Sequence, residues 1–326
     1  MKIDGFLLGM LGAVALALLF PQLGTANGPL HLGLVTAIGI GFVFFLHGAA
    51  LAPAALKAGA ANWRLHLLVH GSTFVLFPAI GFLLFRLAEP VASFEVRTGI
   101  FYLCALPSTI SSSVAMTALG RGNVAGAIFD ATLSGLIGMV VTPALVALVA
   151  DAHGHMALLP AMLDIARTLL LPFVLGQVAR AWIGGFITRN KAWTSRIDRL
   201  VILLIVFGAF SESTAAGVWT RTDPLVLAGV LVTVLALLFV VLALTRLAAR
   251  LLGFSLPDEV AAVFCGSKKS LANGAPMAAI LFGQSPSLGL IMLPVMLYHQ
   301  AQLFVCTILA RRYAAQAEAE ALTPQP

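Results

Sequence analysis

The sequence predicts an all-α polytopic membrane protein in which ten transmembrane helices form two inverted repeats of five. Hydrophobic residues make up 60% of the 326 residues, charged residues 10%, and the mean hydropathy is +1.02, a balance outside that of soluble domains. The apolar runs are continuous, whereas the strands of a β-barrel alternate apolar and polar residues over about 10 positions. Two of the runs are interrupted by polar residues at matching places in the two halves.

Ten apolar runs are predicted to be spans, at 5–20, 32–51, 65–85, 98–119, 124–150, 158–182, 197–218, 224–244, 258–283 and 287–310. The first run has a signal-peptide alternative, but no small-residue cleavage site follows it, so we interpret it as a retained helix. Five spans per half reverse the orientation of a second copy, which is how an inverted repeat arises. We expect one transmembrane domain over 1–326, with repeats at about 1–152 and 153–313 and a disordered cytoplasmic tail at 314–326.

Lysine and arginine residues are distributed unequally between the two sides that ten spans define. Thirteen fall on one side and four on the other, and Lys268 and Lys269 lie within the ninth span. The positive-inside rule places the richer side in the cytoplasm. We therefore expect a multi-pass protein of the plasma (inner) membrane with both termini cytoplasmic. The net charge is +6, but no basic patch alternates with aromatic residues, so nucleic acid is not an expected partner.

The two interrupted spans are the main candidates for a functional site. The fourth is broken at 107–113 and the ninth at 266–276. A lysine facing lipid at mid-membrane costs about 2.5–3.5 kcal/mol, so the adjacent lysines must face protein, water or a ligand. Freed backbone groups at such breaks bind ions or substrates, although two simple kinks are the alternative. The candidate binding residues here are Ser108, Thr109, Ser111, Ser112, Ser113, Ser267, Lys268, Lys269, Ser270 and Asn273.

Asp130 lies on a ridge of small and polar residues that recurs every four positions along the fifth span. A carboxylate on such a ridge faces the bundle interior and needs a partner. We expect Lys268 or Lys269 to be that partner. The pair is interpreted either as a structural lock or as a proton-linked switch.

Other polar residues within apolar runs allow two interpretations each. Glu212 is either a gate residue or lies near the outer surface, and His299 and Gln300 either contact substrate or pack through hydrogen bonds. His47 and His70 are expected to be packing residues. The three cysteines match no metal or redox spacing. No catalytic motif of a metalloprotease or of a nucleophile and base is found, so an enzyme is not expected.

Several motifs resemble the bile acid:sodium symporter superfamily. The segment 121–123, Arg-Gly-Asn, is similar to the family's sequence after the fourth helix. Segments 72–78, 209–211 and 266–274 are similar to motifs of its SBF-like branch, which includes the seventh member of solute carrier family 10. The resemblance covers nearly the whole chain. It implies ten helices, crossed broken fourth and ninth helices, and a core of helices three to five and eight to ten that moves against a panel of the others.

The resemblance also implies positions for two sodium ions, and most of these positions are changed here. Ser113 is retained, and Thr73 stands where the third helix has glutamine. Hydrophobic residues replace other ligands at Val114, Ala127, Ala131 and Phe264, and Lys268 stands near a glutamine position. We expect that both sodium sites are lost and that the ammonium groups replace the cations. No cofactor is expected, and coupling is to protons, through Lys268, Lys269 or Asp130, or is absent.

The predicted function is secondary active transport of a small organic anion, bile-acid-like or another carboxylate or sulfate, by alternating access. The lysines and the hydroxyl groups at the breaks would form the binding site. The competing prediction is a membrane protein that regulates or scaffolds other transport and carries no substrate itself. Apart from the lipid bilayer and the anion, no partner is predicted.

Overall fold

All regular structure in the described part of the chain is helical. The structure is a computed structural model that describes residues 5–52, 59–151, 158–283 and 285–322. Apart from two four-residue helices, Pro21–Gly24 and Val218–Arg221, the helices are α1 (Gly5–Leu19), α2 (Leu32–Ala50), α3 (Trp63–Leu87), α4 (Phe94–Ala105), α5 (Ile110–Leu119), α6 (Val124–Asp151), α7 (Leu158–Ile165, Ala166–Leu170 and Leu171–Arg189), α8 (Lys191–Ala215), α9 (Pro224–Leu251), α10 (Leu256–Ser267), α11 (Leu271–Phe282) and α12 (Leu288–Leu322).

Six of these helices are long and apolar enough to cross a membrane. They are α2, α3, α6, α7 from residue 162, α9 and α12. The pair α4 and α5 adds a seventh if its two members, bent by 56° at their break, are counted as one span. The protein is therefore a helical, multi-pass membrane protein. Ten spans, and their relation as an inverted repeat, remain predictions.

The two interrupted segments contact each other. Between α4 and α5 the chain is extended at Leu106, as expected for a residue that precedes proline. Between α10 and α11 it is extended at Lys268. The backbone N–H of Ser270 donates to the carbonyl of Pro107 at 2.9 Å. The Tyr102 hydroxyl donates to the carbonyl of Gly274 at 2.6 Å and ties α4 to α11. The polar breaks in the sequence thus meet in space.

Two long helices contain a widened turn before a proline. In α3 the turn Ser72–Leu76 has π-helical hydrogen bonds and Pro78 follows it. In α7 the turn Ala166–Leu170 is also π-helical and Pro172 follows. Proline lacks an N–H and its ring crowds the carbonyl one turn earlier, and a π turn relieves that conflict without ending the helix. The backbone of α3 is therefore irregular at Thr73, a predicted site residue.

The turn between α5 and α6 joins three helices. Arg121 has a left-handed backbone conformation with φ of 58°. The Asn123 side chain accepts from the N–H of Gly126 at the start of α6 and donates to Asp258 on α10. Its backbone N–H donates to the carbonyl of Pro257. These bonds hold α5, α6 and α10 together at the end away from the break.

The α2 and α7 helices approach each other closely through small residues. A Cβ atom added at Gly48 would collide with the carbonyl oxygen of Phe173, and one added at Gly176 would collide with the carbonyl oxygen of Phe45. The two collisions are reciprocal, because each glycine lies against the backbone of the other helix. Only glycine allows this approach.

The expected disordered tail is helical in its described part. The helix α12 continues to Leu322, so residues 314–322 are ordered, and 323–326 lie outside the described residues. The segment is rich in alanine, glutamine and glutamate, which favour helices. In addition, Glu318 pairs with Arg121, and Gln316 donates to Glu320 four residues on. The polarity of this segment predicts disorder, but its helix propensity and these contacts account for the helix.

Candidate substrate and ion site

The contact between the two breaks brings together hydroxyl groups of one helix and carbonyl groups of another. The Ser108 hydroxyl donates to the carbonyl of Cys265 at 2.6 Å, and the Ser113 hydroxyl donates to the carbonyl of Phe264 at 3.2 Å. The last carbonyls of a helix have no partner within it. The serines therefore satisfy the end of α10. Both are fully buried.

Lys269 binds three backbone carbonyl oxygens. Its Nζ atom donates to Leu106 at 2.6 Å, to Cys104 at 2.8 Å and to Thr73 at 3.1 Å. The side chain is 1% exposed, and Nζ also lies 4.0 Å from the centre of the Phe77 ring. All three ammonium protons are thereby used. Because the C-terminal end of a helix carries partial negative charge, the ammonium group stabilises the end of α4.

The extended segment after α10 is held by two residues of α12 that sequence reasoning did not select. The Gln302 side chain accepts from the N–H of Lys269 and donates to its carbonyl, both at 2.9 Å. The Tyr298 hydroxyl donates to the carbonyl of Ser267 at 2.6 Å. Tyr298 and Gln302 are four residues apart and so lie on one face of the helix. That spacing is the signal for these two residues in the sequence, whereas the predicted site residues were His299 and Gln300 between them.

Lys268 differs from its neighbour in having unused donors. Its Nζ atom donates to the carbonyl of Ser112 at 2.8 Å, and this is its one hydrogen bond to the described residues. The side chain is fully buried, and Nζ lies 5.8 Å from the centre of the Phe264 ring. An ammonium group has three protons to donate. Two of them have no acceptor among the described residues.

The N-terminal turn of α5 is open next to Lys268. No side chain among the described residues caps this turn, although Thr109 occupies the capping position. The Ser112 hydroxyl is buried without a hydrogen-bond partner, and Ser111 is exposed. The equivalent turn of α11 differs, because the Ser270 hydroxyl accepts from the N–H of Asn273 there. Of the two helices that start at the breaks, α5 is therefore the one without a side-chain cap among the described residues.

Four other predicted site residues turn away from this position. The Thr73 hydroxyl donates to Val69 and the Ser267 hydroxyl to Val263, each within its own helix. His299 contacts the Gln302 side chain at 3.1 Å, and its ring meets the edge of the Phe6 ring. The Gln300 side chain donates to the sulfur of Met10. These contacts fit the packing interpretation of His299 and Gln300.

Asp130 does not pair with either lysine, contrary to expectation. Its Oδ1 atom lies 2.7 Å from Nδ1 of His66 and 3.5 Å from Nε2 of His70. Both lysines are directed instead to the carbonyl groups at the breaks, while α3 packs against α6 at the level of Asp130. His70, expected only to pack, therefore lies beside the carboxylate. The spacing of four residues between the histidines was the missed signal.

Glu212 lines a cavity of about 370 Å³ between α2, α7, α8 and α11. Its Oε1 atom accepts from the backbone N–H of Ala26 at 2.6 Å. Asp164 lies in the same wall, with the hydroxyl groups of Thr36 and Thr168, and its described lining contains no lysine or arginine. The cavity is thus acidic. The role of Glu212 as a gate remains a prediction.

The described residues contain no group of three or more histidine, cysteine, aspartate or glutamate side chains that could hold a metal ion. The site instead consists of lysines, hydroxyl groups and backbone ends at broken membrane helices, an arrangement used by secondary transporters. Matches to known proteins agree with this class. The chain belongs to the SBF-like CPA transporter family, whose model matches residues 4–315. The resemblance noted in the sequence is thereby confirmed, and the chain is a member of a transporter family, not an enzyme.

Three relatives are similar to the chain over almost its whole length. The protein named "Putative symporter YfeH" of Escherichia coli K12 is 45% identical over 317 residues, which are 97% of this chain and 94% of YfeH. An uncharacterized protein of Pseudomonas aeruginosa, PA2026, is 46% identical over 312 residues, 95% of this chain and 93% of that protein. Sodium/bile acid cotransporter 7 of Danio rerio is 30% identical over 310 residues, 94% and 92% of the two chains.

Proposed function

We propose that this protein is a secondary active transporter that carries a small organic anion across the inner membrane by alternating access. One observation carries the proposal. The open N-terminal turn of α5 lies beside the buried Lys268 ammonium group, which has two protons without an acceptor in the described residues. The partnerless Ser112 hydroxyl lies in the same turn. Each of these groups donates hydrogen bonds, so the ligand must accept them.

The free energies that a helix N-terminus and an ammonium group contribute to binding favour an anionic ligand. A helix N-terminus stabilises an anion by about 0.3–1 kcal/mol, and by up to about 2 kcal/mol when partly buried. A hydrogen bond to a charged group contributes about 1.5–3 kcal/mol. A neutral ligand would leave the buried ammonium charge uncompensated, whereas an anion neutralises it. By the resemblance, Lys268 also stands near a position where sodium-coupled members have a glutamine that binds sodium. A positive charge at that position agrees with an anionic substrate.

We also propose that sodium does not drive the transport. Lys269 places a fixed cation on three carbonyl oxygens from α3 and the end of α4. These oxygens are then unavailable to a mobile cation. Protons are the proposed coupling ion.

A second substrate class is favoured by the acidic cavity. Asp164 and Glu212 are its charged lining, so an organic cation would be attracted there and an anion repelled. The anion remains the first candidate because its site contains buried unsatisfied donors, which cost more to leave unpaired than partly exposed carboxylates.

The first experiment is the thermal midpoint of the purified protein in detergent with taurocholate, a sulfated steroid, a short dicarboxylate and tetraalkylammonium. Sodium and choline salts are compared at equal ionic strength. A ligand that binds only the folded state raises the midpoint. We expect an anion to raise it equally in both salts. A rise with tetraalkylammonium alone supports the second candidate, and a sodium requirement contradicts the loss of the sodium sites.

Lys268→Met tests the assignment of the site. The variant should fold, because Lys268 makes one hydrogen bond to the described chain, but the anion should no longer raise its midpoint. Lys191→Met, at an exposed position at the start of α8, is the matched control. Uptake of radiolabelled taurocholate into vesicles then separates a transporter from a regulator. Absence of flux with every compound tested would favour the non-transporting class.

A further inference from the structure

Asp130 is a buried carboxylate whose described ion-pair partners are both histidines. Its side chain has no exposed surface, and the nearest basic groups are His66 at 2.7 Å and His70 at 3.5 Å, both on α3. From α10 the titratable group that faces this position is the thiol of Cys265, whose sulfur contacts the carbonyl of Ala127. Among the described residues, no lysine or arginine lies within ion-pair distance of Asp130. Within that part of the chain, protons on the histidines or on Asp130 itself therefore compensate its charge.

The geometry fixes the number of protons in this cluster. The Nε2 atom of His66 lies 3.0 Å from the carbonyl oxygen of Gly59, which only accepts, so Nε2 carries a proton. The Nδ1 atom of His66 lies 2.7 Å from Oδ1 of Asp130, and a contact this short needs a second proton between the atoms. The pair thus holds two protons, either as imidazolium with carboxylate or as imidazole with carboxylic acid. Its net charge is zero in both forms.

If the pair of His66 and Asp130 loses one proton to solvent, its net charge becomes −1. One proton then remains for two contacts, so one of them loses its hydrogen bond. If the remaining proton stays on Nε2, lone pairs of Nδ1 and Oδ1 face each other. If it moves to Nδ1, lone pairs of Nε2 and the Gly59 carbonyl face each other. Either the contact of His66 with Asp130 or its contact with Gly59 must then open.

Gly59 connects this chemistry to the movement expected of the protein. It belongs to the described residues 59–62, the Gly59 segment, which lead into α3; the resemblance assigns α2 to the panel and α3 to the core. A Cβ added at Gly59 would lie 2.6 Å from Cβ of Phe129 and would collide with the carbonyl oxygen of Ala125, so Gly59 packs directly on the α6 backbone. The bond from Nε2 of His66 ties Gly59 to α3, and the contact of Nδ1 with Asp130 ties the same side chain to α6. Release of the proton would loosen one of these two contacts.

His70 provides a second position for the proton. Neither of its ring nitrogens has a hydrogen-bond partner in the described residues, and Nε2 is the one that lies near Asp130. His66, His70 and Thr73 follow at spacings of four and three, so they lie on one face of α3. The carbonyl of Thr73 accepts from Lys269. One helix face therefore carries both the proton cluster and a ligand of the fixed cation.

We propose that His66, Asp130 and His70 form a proton-binding site, that one proton binds there in each transport cycle, and that it controls how the Gly59 segment packs on α6. This inference rests on the proposed transport function for its role in a cycle. The binding of the proton itself does not depend on a substrate.

Asp130→Asn gives a sharp test. An asparagine amide donates to Nδ1 of neutral His66 while Nε2 still donates to Gly59, so the variant mimics the proton-bound form and cannot lose that proton. Between about pH 6 and about pH 9, a window that includes the upper part of the range in which histidine titrates, the midpoint of the wild type should fall several degrees more than that of Asp130→Asn. Glu95→Gln, which removes a carboxylate from the first turn of α4, should follow the wild type. Parallel profiles of the wild type and Asp130→Asn would overturn the proposal.

Hydrogen–deuterium exchange provides a measurement on the wild type alone. After correction for intrinsic rates, amides at 59–66 should exchange several-fold faster at the higher pH, while those of α9 stay constant. Equal protection at both pH values would also overturn the proposal. In vesicles, an inward acid gradient should raise wild-type taurocholate uptake severalfold and leave Asp130→Asn unaffected. If no flux occurs in any variant, the transport function fails, and the midpoint and exchange results still decide whether the proton site exists.

Discussion

At the scale of single residues, adjacent lysines in one extended segment have different surroundings. Lys269 donates all three ammonium protons to backbone carbonyls, whereas Lys268 donates one. Successive side chains of an extended segment point in opposite directions. Lys269 therefore points to α3 and the end of α4, and Lys268 points to the first turn of α5. A structural role and a binding role can thus be divided between neighbours.

Lys269→Met should destabilise the protein strongly. Each buried carbonyl left without a donor costs about 1–3 kcal/mol, so the three together should lower the free energy of unfolding by at least about 3 kcal/mol. The measurement is the thermal midpoint in detergent. Lys268→Met is the control and should lower the midpoint far less. Equal losses in the two variants would contradict the division of roles.

The residue scale is also where sequence reasoning was least complete. The polar break around Lys268 and Lys269 could be predicted, because charged residues within an apolar run are too costly to face lipid and must face protein, water or a ligand. The partner of Asp130 could not, because opposite charge alone does not say which helix lies against it. Gln302 was missed for a similar reason. Its side chain binds the backbone N–H and carbonyl groups of Lys269. The sequence does not show which backbone groups lack a partner within a helix.

At the scale of helices, the contact of α2 with α7 depends on two glycines. Gly48 and Gly176 each lie against a carbonyl group of the opposite helix, and a carbonyl group in a helix cannot move aside as a side chain can. At these two positions α2 and α7 therefore pack backbone against backbone, without side chains between them. The distance between α2 and α7 is therefore too short to admit even one added methyl group at either glycine.

Gly176→Ala should separate these helices. Overpacking costs about 1–3 kcal/mol, and we expect the upper end because the colliding atom belongs to the backbone. Gly12→Ala on α1 is the matched control, because no atom lies within 4 Å of its added Cβ. In a helix interior that change should be neutral or stabilising by up to about 1 kcal/mol. Comparison of the two thermal midpoints checks the prediction, and an unchanged midpoint in Gly176→Ala would contradict it.

The helices themselves could largely be predicted from the sequence. Both breaks occur where proline, serine and lysine interrupt apolar runs, and the extended residues 106 and 268 fall within or next to the expected segments. The π turns before Pro78 and Pro172 could not be predicted, because a proline permits a kink, a π turn or a helix end. The end of α12 differs from the prediction of disorder, because the helix propensity of its alanine, glutamine and glutamate residues outweighs their polarity.

At the scale of the whole molecule, the distribution of basic residues predicts the orientation in the membrane. A cysteine at position 220, between α8 and α9, should lie outside, and one at position 192, at the start of α8, should lie inside. Both positions are exposed, and the native Cys104, Cys265 and Cys306 are buried, so background labelling should be low.

The measurement is labelling of Thr220→Cys and Ala192→Cys with a membrane-impermeant maleimide. In intact spheroplasts we expect Thr220→Cys to react within minutes and Ala192→Cys to react only after lysis. The reverse pattern would place both termini outside and contradict the positive-inside assignment. Reaction of both cysteines in intact spheroplasts would contradict the predicted span between them.

The fixed ammonium group of Lys269 has a consequence for the membrane potential. A dissociable cation crosses the membrane once per cycle, and the potential does net work on it, about 2.3 kcal/mol per charge at 100 mV. A covalently attached cation makes the same journey but returns with the protein, so the work done on it over a complete cycle is zero. The lysines would make individual steps sensitive to voltage without contributing to the accumulation of substrate. Imposed voltage should then change the rate of transport, while the steady-state concentration ratio should depend on the charge of the substrate and of any ion released with it.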